Sequence, residues 1–249
     1  MCTAWSGILR HDFTWVPKRS PHIHSHSRQA RDAGLPERSG TESYVKVEVC
    51  PGNNDYTSDP MAWTVIIDEH RRPKWVTEEW PRVEDSARRQ ASAWARAHIV
   101  RDNGGIVYVG RDKTIIVVGS PARIDVADGG WCGVYGTSAP ARIDVADEGW
   151  CYVYNSSTPG HIDVAAGGSC CVYDSSSPGR IDVADEGLCY VGGSSAPARI
   201  SVAAGGWCGV YDSSAPGTID VADGGYVDWR SSVPSKGRIF RAPPTTTGA

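Results

Sequence analysis

The stretch ARIDVADEGWCYVYNSSTP, Ala141 to Pro159, decides the fold, because the same 19-residue pattern returns on both sides of it. Its isoleucine recurs at Ile124, Ile143, Ile162, Ile181, Ile200 and Ile219 without a slip, and six copies fill residues 122 to about 235. A strict short period means that each unit is one supersecondary turn that cannot bury its apolar face alone and must stack on its neighbours. Inside the unit, two period-2 segments lie between Gly-rich and Ser/Pro-rich punctuation, which reads strand, turn, strand, turn and excludes helix. The expected fold is mainly β: a β-solenoid of about seven coils over residues 105–235, a small α+β cap domain over 1–104, and a C-terminal cap or tail over 236–249.

Uniformity separates inside from outside, since a stacked core tolerates little change of volume and an outer surface tolerates much. The rows that begin at Ile124, Val126, Cys132 and Val134 hardly change, so they point inward. The row from Trp131 reads Trp, Trp, Ser, Leu, Trp, Tyr, and the row from Gly133 reads Gly, Tyr, Cys, Tyr, Gly, Asp, so both point outward. The same parity places Asp125, Asp144, Asp163, Asp182, Ser201 and Asp220 outside on the other sheet. Upstream, Val107 and Val109 match the Ile and Val positions, and Ile115 and Val117 match Cys and Val, which gives a seventh, shortened coil. The Ser-Ser-x-Pro corner leaves two or three strands per coil open. At the far end SKGRIFRAPP suits an end cap against edge-to-edge pairing.

Charge is divided along the chain. Residues 1–120 carry 17 Lys+Arg against 15 Asp+Glu, residues 121–223 carry 4 against 13, and residues 224–249 carry 4 against 1. An acidic rod lacks the basic stripe that phosphate contact needs, so direct nucleic-acid binding is not expected. No window reaches the roughly 18 consecutive apolar residues of a membrane span, and the N-terminus lacks the pattern of a signal peptide. The expected location is cytoplasmic or virion-associated, with no membrane partner. Five of the eight cysteines, Cys132, Cys151, Cys170, Cys189 and Cys208, recur once per repeat, which argues for packing over bridging, and all thiols are expected to be reduced.

The first hundred residues have no repeat. ESYVKVEVCP (Glu42 to Pro51) and AWTVIIDE (Ala62 to Glu69) read as strands, residues 17–41 as an irregular loop, and PRVEDSARRQASAWARAHIV as a helix. Val83, Ala87, Ala91, Trp94 and His98 are its expected apolar stripe. The start MCTAWSG, the strand VKVEV shortly before Pro51, the segment SDPMAWTVIIDE with PKW after it, and the tail of short repeats resemble a loose group of uncharacterised phage and bacterial proteins. The resemblance implies a phage or prophage setting and the same layout of cap and solenoid, and carries no activity.

Several residues invite chemistry. His22, His24 and His26 would lie on one side of an extended segment, a geometry zinc accepts, although a solvated polar loop is the plainer reading. Cys2 would be N-terminal after loss of Met1 and could serve as a nucleophile with its own amine as base, yet no oxyanion donor can be named. No catalytic, metal or cofactor residue is assigned, and the chain is expected not to be an enzyme. The Asp row, with Asp128, Asp147, Glu148, Asp185, Glu186 and Asp223 at the corners, suggests a DNA-mimic inhibitor of a DNA-binding enzyme. Against that, Arg123, Arg142, Arg180 and Arg199 share its face and offer neutralisation within the rod.

The remaining outward feature is aromatic. Trp131, Trp150 and Trp207 form one row, Tyr135, Tyr154, Tyr173 and Tyr211 another, and Tyr152 lies between. Tyr190 belongs to the same face. Stacked aromatics stabilise strands, but an apolar sheet face of this size in a rod usually marks a contact. These eight residues are the expected binding surface for a protein partner or for self-association, without any cofactor.

Overall fold

The protein, seen in a computed structural model, is described over residues 5–16, 30–31, 34–35, 43–68, 72–235 and 239–241. It forms two compact units, residues 1–98 and 99–249.

In the second unit successive strands alternate between two parallel sheets of eight strands each. The Asp sheet runs from Ile106–Val109 through Arg123–Val126, Arg142–Val145, His161–Val164, Arg180–Val183, Arg199–Val202 and Thr218–Val221 to Ile239–Arg241. The Cys sheet runs from Ile99–Val100 through Thr114–Val117, Trp131–Val134, Trp150–Val153, Ser169–Val172, Leu188–Val191 and Trp207–Val210 to Tyr226–Trp229. Pairing is in register, so Ile143 lies beside Ile162 and Ile162 beside Ile181. The inward rows are where uniformity puts them: the Ile, Val, Cys and Val rows are buried and make one continuous core. The shortened coil also joins as expected, with Val107 paired to Ile124 and Ile115 to Cys132.

The corner between the sheets settles the number of strands per coil. It holds no strand, yet its backbone bonds to the coil before it: Ser156 N donates to Gly136 O at 3.1 Å, Thr158 N to Ser138 O at 2.9 Å and Gly160 N to Pro140 O at 2.9 Å. Each coil therefore has two strands and a third, hydrogen-bonded side. Ser138, Ser157, Ser176, Ser195 and Ser214 turn inward there and are buried. Their hydroxyls donate to carbonyls, as Ser195 Oγ does to Val172 O at 3.3 Å and Ser214 Oγ to Val191 O at 3.2 Å, which satisfies buried polar groups at the bend.

Glycine is required where backbones crowd. A Cβ on Gly149 would lie 2.9 Å from Ala146 O and 3.2 Å from Ala127 O, which accounts for glycine at this position in every copy.

Both ends depart from expectation. The helix Trp80–His98 stops two residues early, and Ile99–Val100 pairs with Ile116 and Val117, so the solenoid begins before residue 105. Downstream, Ile239–Arg241 extends the Asp sheet beside Ile219–Val221 in place of a non-strand cap.

The first unit is a three-stranded antiparallel sheet with helices. Strand Tyr44–Cys50 lies between Trp5–Arg10 and Thr64–Ile67. Trp5–Arg10 was not foreseen, because its first five residues are all buried and show no alternation. In the helix, Ala95 and Ser92 join Val83, Ala87 and Ala91 in the buried face. Trp94 instead lies half-buried and stacks on His98, ring centroids 5.0 Å apart. Cys50 is disulfide-bonded, which corrects the expectation of reduced thiols throughout. The repeat cysteines are free and buried, as is Cys171.

Candidate functional site

Two outer faces of the solenoid carry the candidate functional groups. The first is the outside of the Cys sheet. In-register stacking brings equivalent rings together: Tyr135 stacks on Tyr154 at 4.9 Å between centroids, and Tyr154 on Tyr173 at 5.9 Å. Tyr152 links the rows, 5.8 Å from Tyr154, 5.5 Å from Trp131 and 6.1 Å from Trp150. A second group lies further along, with Tyr190 at 4.7 Å from Trp207 and 6.4 Å from Tyr211.

The middle row explains how so many rings fit. Tyr152 and Tyr190 alternate with Gly133, Cys171 and Gly209. Trp131 and Tyr135 close over Gly133, where a Cβ would meet Tyr135 Cε2 at 2.5 Å and the Trp131 ring at 3.0 Å. Trp207 and Tyr211 close over Gly209 in the same way. Tyr173 lies over Gly192, where the tyrosine row is interrupted. Strands about 4.8 Å apart cannot carry a large ring at every site of a middle row flanked by two other aromatic rows, so small residues must intervene.

Exposure within the expected contact set is uneven. Trp150 is 40% exposed, Trp131, Tyr152, Tyr154, Tyr173, Trp207 and Tyr211 are intermediate, and Tyr135 is 2% exposed. Trp150 is therefore the most accessible ring of the set, while Tyr135 lies buried against Tyr154. Burial pushes the phenols of Tyr152 and Tyr173 up to about 12.

The second face is the outside of the Asp sheet, where a groove of about 1150 Å³ runs along the Asp and Ala rows from Tyr108 to Phe240 and Arg241. Cations brace its Asp row. Arg123 pairs with Asp125 and reaches Asp144 at 2.9 Å, and Arg142 lies 2.8 Å from Asp144 and pairs with Asp163. Arg180 lies 2.7 Å from Asp182, and Arg199 2.7 Å from Asp220. His161 stands where neighbouring coils have arginine, its Nε2 3.0 Å from Asp163 and 2.8 Å from Asp182. Burial opposes ionisation of Asp182, but hydrogen bonds from Arg180, His161 and Ser201 outweigh it and hold the carboxyl below its ordinary value. The carboxylates are thus paired within the rod, and the histidine rung is the one sequence reading passed over. Its signal was the break in the arginine row.

Cys2 and the cluster His22, His24 and His26 lie outside the described residues. Among the described residues, no helix is long and apolar enough to cross a membrane. No family model matches the chain, and neither a curated protein nor a solved structure matches it.

Proposed function

We propose that this protein is a non-enzymatic binding or structural module whose solenoid presents the aromatic face of the Cys sheet to another protein surface. The observation that carries this reading is the ring assembly centred on Tyr152, which joins Trp131, Trp150 and Tyr154 across two coils and leaves Trp150 accessible. Trp and Tyr are the residues most often found as interface anchors, and rings already held by their neighbours lose little side-chain entropy on binding. A phage or prophage accessory role, virion-associated or cytoplasmic, is the setting that fits the resemblance of the N-terminal motifs. The pairing of the Asp row with arginine speaks against the DNA-mimic alternative, because a mimic needs uncompensated charge.

The test is the double substitution Trp150→Ser with Tyr152→Ser in the full chain. Partner capture from lysate and self-association in sedimentation are measured beside the melting temperature. Loss of capture or of self-association, with melting changed by only a few degrees, supports the reading. Capture retained while the melting temperature falls steeply shows that the rings only hold the sheet together. Capture lost only with Asp144→Asn and Asp182→Asn returns the DNA-mimic alternative.

A further inference from the structure

We propose that His161, Asp163 and Asp182 form a binding site for a divalent cation of the zinc type, opening on the groove of the Asp sheet. In the first coils of the Asp sheet the outward cation is Arg123, then Arg142, and it is arginine again at Arg180 and Arg199. A guanidinium keeps its protons at neutral pH and has no lone pair to give, so those rungs can only brace carboxylates. At the third rung an imidazole takes the place, and its Nε2 sits between two carboxylates from adjacent coils, 3.0 Å from Asp163 Oδ1 and 2.8 Å from Asp182 Oδ2. One ligand atom from each of the three residues lies within 4.8 Å of the other two.

The two nitrogen-to-oxygen separations suit a shared metal, toward which the carboxylate oxygens, within 4.8 Å of each other, would have to close. With bonds of about 2.0–2.1 Å, ligand atoms around tetrahedral zinc lie about 3.3–3.4 Å apart. The two nitrogen-to-oxygen distances would open by roughly half an ångström, within the reach of side-chain torsions. Zinc would take the place of the proton on Nε2 and would share the two carboxylates with Arg142 and Arg180.

The neighbouring arginines hold the outer oxygen of Asp163 and both oxygens of Asp182. Arg142 pairs with Asp163 through Oδ2, leaving Oδ1 toward His161. Arg180 Nε lies between both oxygens of Asp182, 2.8 Å from Oδ1 and 2.7 Å from Oδ2, so a metal on Oδ2 would leave Arg180 on Oδ1 alone. Outer hydrogen bonds of this kind fix ligand orientation in metal sites. The three side chains are each a little over a quarter exposed, and both aspartates line the groove. A metal held there keeps an open position facing solvent, where water or an anionic group could bind.

The experiment is titration of the full chain with zinc chloride, in a background of His22→Ala, His24→Ala and His26→Ala that removes the N-terminal imidazoles. The expected result is one zinc per chain, with affinity reduced about 100-fold or more by His161→Arg and about 10-fold or more by Asp163→Asn. His161→Arg restores the residue of the neighbouring rungs, so its circular dichroism and melting without metal should match the parent. Should that variant fail to fold, His161→Gln reads the same loss. Visible absorption of bound Co2+ in the parent, absent from the His161 variant, gives a second readout. Failure of the parent to bind, or equal binding by His161→Arg, overturns the site.

Discussion

Glu148 and Glu186 hold backbone conformations that glutamate rarely adopts, with φ of 52° and 58°, at a turn position filled by Gly129, Gly167, Gly205 and Gly224 in other coils. An L-residue in the left-handed region costs roughly 1–2 kcal/mol. Part of that is regained because the unfolded chain is less free with glutamate than with glycine. Glu148→Gly with Glu186→Gly is therefore expected to stabilise the rod by about 0.5–1 kcal/mol per site, seen as a rise in the urea midpoint at unchanged slope. A fall would mean that the two carboxylates make stabilising contacts worth more than the strain. The turn itself was legible as Gly-rich punctuation, but the left-handed residue was not, since glutamate there gives no turn signal. At the corner the opposite happened. The row Ser138, Ser157, Ser176, Ser195 and Ser214 holds through five copies and gives way to Val233 in the sixth, uniform enough for the rule that found the core to find it. The polarity of serine hides this inward row, although carbonyls buried at a bend need hydroxyl partners.

At the scale of elements, the Asp sheet must keep a row of carboxylates stacked in register, which repel unless cations intervene. The rungs do this by reaching two ways: Arg123 contacts Asp125 and Asp144, and His161 contacts Asp163 and Asp182. Asp182 carries the clearest consequence for pH. Its carboxyl is held below its ordinary value, so its stabilising effect is fully present above the unfolded value near 3.9 and is lost as pH falls through the lower folded value. Asp182→Asn should therefore melt below the wild type at pH 7, and the gap should close as both are taken from about pH 5 to about pH 2. A gap that does not change with pH would show that the charge of Asp182 contributes nothing and only its shape matters. Legibility also varied by element. Strand parity in the repeats followed from row uniformity, and the Arg-Asp pairing followed from parity. Ile99–Val100 and Ile239–Arg241 escaped because two or three residues at the end of a stack carry no period. The aromatic face could be placed but not graded: which ring is accessible depends on what lies under it, and Tyr135 is covered because Gly133 lets its ring lie flat and Tyr154 stacks above.

At the scale of the whole molecule, two outward positions, the turn and the middle row of the Cys sheet, alternate every two coils between residues 142 and 217 while the core repeats every one. The coils 142–160 and 180–198 carry Asp-Glu-Gly at the turn and tyrosine in the middle row. The coils 161–179 and 199–217 carry Ala-Gly-Gly at the turn and Cys171 or Gly209 in the middle. The alternation is steric and electrostatic. Asp147 lies so close over Gly167 that a Cβ there would collide with its carboxylate, and Asp185 does the same over Gly205. Two coils of the first kind in contact would set Tyr152 against Tyr190 and four acidic turn residues against one another. Stability in a stacked array is a sum of unit terms and nearest-neighbour terms, so the identity of neighbours can outweigh their number. Deletion of residues 161–179 creates that unfavourable junction, whereas deletion of 161–198 joins coil 142–160 to coil 199–217, which reproduces the native junction between 180–198 and 199–217. The longer deletion should therefore melt higher than the shorter one, although it removes twice as many residues. Melting followed by circular dichroism decides it. If stability simply falls with the number of coils removed, the two-coil pattern is incidental and the solenoid is built from interchangeable units.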